Sequence, residues 1–320
     1  MSVLSKLSRG ETKIDFVGQR RRWFTISAIL LLVSIASFGI RQLNLGIEFE
    51  GGLSLQSPNP AGAEVAEIRD ALFEVGVDDA TIQLVDDGAA VRITTRELDE
   101  ETLNAAVDAV AEVTGSDRSE ISIEAVGPSF GALVAKRAVI ALAVFLGVVA
   151  LFITWRLEFK MALAGLAALF HDLIITLGVY SLTGFPVTPA TVVAILVILG
   201  YSLYDTVVVF DKVEELIEND EELKNPRRTI SEIVNEAMNS VLARSLATSL
   251  TSLLPVGSIL LVGSVILGAP TLRDFALALF VGIAAGTYSS LFVAAPLLAT
   301  WKEREEKWIE RARKAGKGTG

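Results

Sequence analysis

The segment GYSLYDTVVVFDK, residues 200–212, places the carboxylate of Asp205 inside an apolar run. The preceding stretch, TPATVVAILVIL (188–199), carries no charge. Inserting an ionised carboxylate into hydrocarbon costs roughly 2.5–3.5 kcal/mol, and such residues typically face the protein interior and serve a function. The segment therefore predicts a membrane helix with a functional acid on its buried face.

The composition of the 320-residue chain indicates a membrane protein with a substantial aqueous part. Hydrophobic residues make up 52% of the chain and charged residues 21%, and the mean hydropathy is +0.52. Cysteine is absent, which excludes disulfides and thiolate metal sites. A single histidine, His171, offers little capacity for a zinc site. We therefore expect no metal and no cofactor.

Six apolar runs are long enough to cross a bilayer, which takes about 20 residues. The predicted spans are 23–42, 137–155, 161–183, 187–210, 245–267 and 275–299. The segments outside them are the tails 1–22 and 300–320, a cytoplasmic amphipathic loop 211–244, and a long polar segment 43–136. Because three arginines precede the first run, a signal peptide is the alternative interpretation of that run. No clear A-x-A cleavage site follows it, which favours a retained span.

The distribution of basic residues predicts the orientation of the chain in the membrane. With the N-terminus inside, 20 of the 28 Lys and Arg residues lie on the cytoplasmic side. Cytoplasmic loops are enriched in these residues. We therefore expect both termini to be cytoplasmic and residues 43–136 to be external.

The external segment is strongly acidic. Between residues 43 and 135, 19 Asp and Glu stand against four Arg. Such a surface repels nucleic acid and anionic surfaces, so nucleic acid is not an expected partner. The acidity indicates either simple solubility or life in high salt, and we expect the second, as in a halophilic archaeon.

Sequence periodicity in the external segment predicts a ferredoxin-like domain. Strand-like alternation and helix-like spacing follow one another in the order βαββαβ. The predicted elements are a strand at 45–56, a helix at 63–76, a hairpin at 81–96 that turns at Gly88, a helix at 99–113 and a strand at 119–127. The expected fold is thus a polytopic α-helical membrane protein with six transmembrane helices and one external α+β domain between spans one and two.

Three ionisable groups are expected within or at the edge of the spans. Asp172 follows His171 in span three, Asp205 lies in span four, and Arg244 begins span five. Asp205 and Arg244 lie at a similar depth, so the two could pair. The pair could be purely structural, or the carboxylate could gain and lose a proton as the bundle changes shape. If they pair, Arg244→Ala alone should harm folding more than removal of both charges.

Small residues within the spans indicate close helix packing. Gly200, Gly282 and Gly286 let neighbouring helices approach. Pro255 and Gly257 are expected to interrupt span five, as a hinge or a kink.

Two intramembrane aspartates also raise the hypothesis of an aspartyl protease. That chemistry needs two carboxyls about 3 Å apart that share a proton. Asp172 and Asp205 differ in depth by roughly 8 Å on the helical rise, and no Gly-x-Gly adjoins Asp172. We therefore expect no enzyme and no catalytic residue.

Taken together, these stretches resemble the SecF family, six-span accessory subunits of the Sec protein-export machinery, in an archaeal style and within the RND superfamily. The resemblance covers nearly the whole chain. The matching stretches are LNLGIEFEGG (43–52), ALFHDLIITLGVYSLTG (168–184), ILGYSLYDTVVVFDKVEE (198–215), MNSVLARSLATSLTSLL (238–254) and LRDFALALFVGIAAGTYSSLFVAAPLL (272–298).

The resemblance implies roles for particular residues. Asp205 and Arg244 match the ion-coupling Asp and Arg of the family, and His171 with Asp172 matches its HD pair. The signature loop of the family corresponds here to Gly46, Glu48, Gly51 and Gly52. The family usually has Asp-Phe-Thr-Gly-Gly where this chain has Glu-Phe-Glu-Gly-Gly (48–52).

The resemblance also implies partners: a sister subunit SecD, a SecY-type translocon, translocating polypeptides, H⁺ or Na⁺ ions and the lipid bilayer. The expected function is promotion of protein export, with an ion gradient moving the external domains. The alternative is an RND-type half-transporter that exports a lipid or a small molecule.

Overall fold

The computed structural model describes residues 13–85, 88–221, 228–265 and 270–316. Within these residues, six helices are long and apolar enough to cross a membrane. A small α/β domain lies between the first and second of them. The predicted fold class is therefore confirmed.

The helices are α1 (Arg20–Ile40), α2 (Ile47–Glu50), α3 (Val65–Glu74), α4 (Glu100–Thr114), α5 (Pro128–Arg156), α6 (Phe159–Thr183), α7 (Pro189–Glu221), α8 (Ile230–Val265), α9 (Pro270–Ser289), α10 (Ala295–Lys302) and α11 (Glu306–Lys314). A π-helical turn, Ser290–Ala294, joins α9 to α10 and completes the sixth span.

The external domain is an antiparallel four-stranded sheet with two helices. Its strands are β1 (Gly52–Pro58), β2 (Thr81–Val85), β3 (Ala90–Thr95) and β4 (Ser122–Val126). Their spatial order is β2-β3-β1-β4, and Leu55 of β1 lies opposite Ile93 of β3. Leu55, Ile68, Ile93 and Val107 are buried together between the sheet and α3 and α4. Sheet order and βαββαβ connectivity give the predicted ferredoxin-like fold.

The predicted first strand at 45–56 is wrong in its first half. Residues Ile47–Glu50 form the short helix α2, and the strand begins only at Gly52. Phe49 is buried on the membrane side in a cluster with Tyr180, and a continuous strand would not direct it there. Gly51 and Gly52 both have positive φ, which glycine adopts without a steric cost. A side chain on Gly51 would also lie 2.5 Å from the Cα of Pro128.

The boundaries of several spans differ from those expected. The second begins at Pro128, where proline at the first helical turn suits a helix start. The expected loop 211–244 is mostly helical, because α7 continues to Glu221 and α8 begins at Ile230. The buried apolar residues that α7 and α8 contribute to this stretch pack into the main core. This packing stabilises both helices beyond the apolar spans.

Span five contains no break in the described residues. Helix α8 runs through Pro255 to Val265, so the expected interruption is not observed. Parts of several predictions lie outside the described residues: 1–12 and 317–320 of the tails, 86–87 of the hairpin, 222–227 of the expected loop and 266–267 of span five.

Two of the three packing glycines hold α9 against α7. A Cβ on Gly282 would lie 2.3 Å from the Cδ1 of Ile198, and one on Gly286 would lie 2.8 Å from the Cβ of Ser202. Gly200 has no such contact and lies on an exposed face of α7. The described chain therefore uses Gly282 and Gly286 internally and leaves Gly200 without a neighbour.

Ion pairs gather the N-terminal segment, the α5–α6 junction and the C-terminal helices at one end of the bundle. They join Arg20 to Glu303 (2.7 Å), Lys160 to Glu305 (2.8 Å), Arg311 to Asp220 (3.1 Å) and Lys302 to Glu158. The external domain meets the bundle elsewhere, at the 184–188 connection, where Leu45 bridges to Val187. The two ends of the membrane domain are thus distinct.

Candidate ion-coupling site

The side chain of Asp205 faces the interior of the bundle. It is only 6% exposed. The hydroxyl of Ser245 on α8 donates to its Oδ1 at 2.5 Å, and the hydroxyl of Ser290 donates to its Oδ2. Three segments of the membrane domain therefore meet at this carboxylate.

Asp172 on α6 forms a second buried carboxylate site. The hydroxyls of Ser202 and Ser289 donate to its Oδ2 at 2.6 and 2.7 Å. The Nδ1 of His171 lies 3.1 Å from its Oδ1. Asp172 is fully buried, and these partners satisfy both of its oxygens.

The two carboxylates are linked through shared elements. Ser202 lies three residues before Asp205 on α7, and Ser289 directly precedes Ser290. Consecutive residues of a regular α-helix point about 100° apart, and the wider π-helical turn begins at Ser290. Such turns are frequent at functional sites. We call Asp172, Asp205, Ser202, Ser245, Ser289 and Ser290 the carboxylate cluster.

Arg244 does not pair with Asp205, contrary to the expectation from sequence. It is exposed and lines an open groove of about 350 Å³ with Asp211, Lys212 and Glu215. The reason is helical phase: Ser245, one residue on, points inward to Asp205, so Arg244 points away. The sequence predicted that Asp205 and Arg244 lie at a similar depth. It did not predict the direction in which each side chain points around its helix.

This arrangement reverses the expected effect of Arg244→Ala on folding. An exposed side chain typically contributes within about 0.5 kcal/mol to stability, so Arg244→Ala should leave the melting temperature of the purified protein nearly unchanged. Ser290→Ala removes a buried donor to a carboxylate and should cost about 1–3 kcal/mol. Thermal melting in detergent measures both. A larger loss for Arg244→Ala would contradict this geometry.

His171 has an unused hydrogen-bonding atom. Its Nε2 is buried and has no hydrogen-bond partner among the described atoms. The ring stacks on Tyr288 with 6.0 Å between centroids, and the Tyr288 hydroxyl lies 3.1 Å from that of Ser27 on α1. These contacts bring α1 close to the carboxylate cluster.

The serines of the cluster were not recognised as functional from sequence. Ser245 begins a run of small residues that is typical of helix packing, and Ser289 with Ser290 lies inside the stretch TYSSLF (287–292). The available signal was the pair of consecutive hydroxyls within an apolar span. No hydrogen bond joins the two carboxylates among the described contacts, so the proton-sharing geometry of an aspartyl protease is not formed.

The signature loop lies where the external domain meets the membrane domain. Gly46 and Glu48 line a polar cavity of about 70 Å³, together with Arg92, Glu124 and Asp274. Burial raises the pKa of Glu48 above its ordinary value, and the nearby charge of Glu124 adds to this effect. Burial lowers the pKa of Arg92. The loop thus brings a partly desolvated charge to the domain junction.

The raised pKa of Glu48 predicts a pH-dependent stability. The folded state binds the Glu48 proton more tightly than the unfolded state, so this stabilisation is present at low pH. This stabilisation is lost as the pH rises from about 4.5, the ordinary pKa of a glutamate, through the raised pKa of Glu48 in the folded state. Glu48→Gln should remove the dependence, so the variant's melting temperature should gain on the parent protein as pH rises. Glu50→Gln, which removes an exposed carboxylate of the same loop, is the control and should show no such gain.

Comparison with known proteins identifies the family. The family model described as protein export membrane protein SecD/SecF, C-terminal, matches residues 106–304. The protein translocase subunit SecF of Streptomyces coelicolor is 39% identical over 322 residues, covering 98% of this chain and 86% of that protein. SecF of Mycobacterium tuberculosis is 42% identical over 315 residues, covering 95% and 71%.

A solved structure shares the fold. The crystal structure of SecDF, a translocon-associated membrane protein from Thermus thermophilus, superposes with a TM-score of 0.80 at 32% identity. The similarity covers 92% of this chain, and this chain spans 39% of the length of that protein. Sequence and fold agree along almost the entire chain, which therefore belongs to the SecF family of protein translocase subunits.

Proposed function

We propose that this protein promotes protein export across the cytoplasmic membrane by coupling an ion gradient to movement of its external domain, and that it is not an enzyme. The observation that carries the proposal is Asp205, a carboxylate buried in the bundle and held by the neutral hydroxyls of Ser245 and Ser290. The membership of the chain in the SecF family links this carboxylate to protein translocation.

The partners of Asp205 suit reversible ion binding. A carboxylate locked to a cation would have to lose a buried ion pair before accepting an ion, at a cost of several kcal/mol. Hydroxyls can serve as donor or acceptor, so they can accommodate either the charged or the neutralised carboxyl. Arg244, in the groove near the same helix end, remains available as a second coupling group, and Asp172 with His171 forms the adjoining polar site.

We further propose SecD as the partner in the membrane. This chain corresponds to 39% of the length of the SecDF protein from Thermus thermophilus, so a separate subunit would supply the remainder. The face of α7 that carries Gly200 is exposed and lacks a neighbour in the described chain, which suits close packing against another helix. A SecY-type translocon and translocating polypeptides complete the proposed assembly.

In this proposal both termini face the cytoplasm and residues 43–136 face outward. The excess of Lys and Arg on the terminal side supports that orientation. The ion-paired end of the bundle holds the N-terminal segment and the C-terminal helices together, as the proposal requires. A high-salt, archaeal origin, inferred from the acidity of the external segment, stays a prediction.

Export of a lipid or a small molecule is the competing function. Ligand pockets typically enclose about 300–1,000 Å³ and are mainly apolar. The cavity beneath the external domain measures only about 70 Å³ and is lined mainly by charged and polar residues. The groove at Arg244 reaches about 350 Å³, but it is open and is also lined mainly by charged and polar residues. Neither has the apolar lining of a typical lipid or small-molecule site, which favours protein export. Purification from native membranes should therefore recover SecD and a SecY-type channel; recovery of a bound lipid without them would favour the competitor.

The proposal is tested by export into sealed inverted membrane vesicles. A secretory precursor is supplied outside, and proton and sodium gradients are imposed separately. The measured quantity is the rate at which the precursor enters the vesicles and becomes protected from added protease. This rate should rise with one of the two gradients in vesicles that contain this subunit, and it should not rise in vesicles that lack it. Equal rates with and without every gradient would overturn the proposal.

A further inference from the structure

An ion pair joins the external sheet to the outer end of α9. The guanidinium of Arg92 on β3 lies 3.7 Å from the Oδ2 of Asp274, and the two side chains are 11% and 2% exposed. Arg273 lies 3.3 Å from the other oxygen of Asp274. Glu48 and Glu124 also face Arg92 across the cavity. Removing one partner of a buried pair is costly, so this contact holds the sheet to α9.

Other polar contacts at the junction reach a different element. Gln83 and Asn44 both donate to the backbone carbonyl of Gly184, at 3.1 and 2.9 Å, and Gly46 donates to that of Val187 at 2.9 Å. These contacts tie the external domain to the connection between α6 and α7. The Arg92–Asp274 pair is thus distinct from them, because it ties the sheet to α9.

The other end of α9 reaches the carboxylate cluster. From Asp274 to Ser289 the helix spans about 22 Å at 1.5 Å per residue. Ser289 donates to Asp172 and Ser290 donates to Asp205. Gly282 and Gly286 hold the middle of α9 tightly against α7. One packed helix therefore connects both buried carboxylates with the external domain.

We propose that α9 transmits the charge state of Asp205 to the external domain through the Arg92–Asp274 ion pair. This inference rests on the proposed function. Neutralising Asp205 weakens the charge-assisted hydrogen bond from Ser290, at the first residue of the π-helical turn. Packed helices respond to such changes by small shifts between discrete arrangements. A shift of α9 displaces Asp274, and Arg92 carries the sheet with it.

The absence of cysteine from the chain permits a direct measurement of this motion. Glu112→Cys on α4 and Leu182→Cys on α6 place one spin label on each side of the junction, both at exposed positions. Distances between the labels are measured by electron–electron double resonance in the complex with SecD. Asp205→Asn mimics the neutralised carboxyl, so comparing this variant with the labelled protein that keeps Asp205 isolates the effect of that charge.

Two variants of the external domain test the ion pair, and a third is the control. Arg92→Gln removes it, and Asp274 keeps Arg273 as a partner, which favours normal folding. Arg92→Lys preserves the charge. Arg96→Gln is the matched control, since the ion pairs of Arg96 among the described residues are with Asp78 and Asp79, at the surface of its own domain.

We expect Asp205→Asn to shift the label distance in the parent protein, in Arg92→Lys and in Arg96→Gln, and to cause no shift in Arg92→Gln. A shift in Arg92→Gln equal to that of the parent would overturn the inference and leave the proposed function standing. If the parent shows no shift, and its export does not respond to a gradient, both the inference and the proposed function fail. If the distance shift is lost in Arg92→Gln and kept in Arg92→Lys, the positive charge at residue 92 is required for the motion. A purely structural role of Arg92 would not explain that result.

Discussion

Asp205→Asn should reduce the gradient-dependent part of protein export to background. Moving one unit charge through 100 mV releases about 2.3 kcal/mol, which corresponds to a bias of about 50-fold in a two-state equilibrium. Asparagine keeps nearly the same shape and can still hydrogen-bond to Ser245 and Ser290. The bias should therefore disappear while the packing around residue 205 survives.

The measurement is precursor export into inverted vesicles with and without an imposed gradient. Recovery of SecD and the melting temperature of the complex report on assembly, and both should match the parent protein. Glu218→Gln is the control, because it removes an exposed carboxylate further along the same helix, and its export should still respond to the gradient. A normal gradient response in Asp205→Asn would exclude a coupling role for this residue.

The overall fold was predictable from sequence because its determinants are local. Six apolar runs of membrane-spanning length mark the helices, and alternating residues in the external segment mark the strands. The extensions of α7 and α8 were missed because their charged faces resemble those of a loop, whereas their apolar faces pack into the core. The short helix at Ile47–Glu50 was missed because its alternation imitates a strand.

The site was predictable only in part, because sequence gives depth along a helix more readily than direction around it. Asp205 was correctly expected to face the interior. Its partner was not, since Arg244 and Ser245 share a depth and differ by about 100° in direction. The π-helical turn beside Ser290 has no local signature, because its geometry depends on packing between α9, α7 and α6.

Gly286→Leu should destabilise the membrane domain strongly, whereas Gly200→Leu should not. A Cβ on Gly286 already lies 2.8 Å from the Cβ of Ser202 and 3.4 Å from its Cα, so the larger side chain forces α9 away from α7. Overpacking of this kind typically costs about 1–3 kcal/mol or more. The displacement would also disturb the hydrogen bond from Ser202 to Asp172.

Gly200 provides the matched comparison, since it lies on an exposed face of α7, the helix against which Gly286 packs, and its Cβ would meet nothing within 4 Å. Leucine there should leave the melting temperature of the isolated subunit unchanged or higher, because it favours the helix over glycine by somewhat under 1 kcal/mol. If the Gly200 face packs against SecD, Gly200→Leu should reduce recovery of SecD during purification. Unimpaired recovery would place SecD on another face, and a stable Gly286→Leu protein would contradict the close approach of α9 to α7.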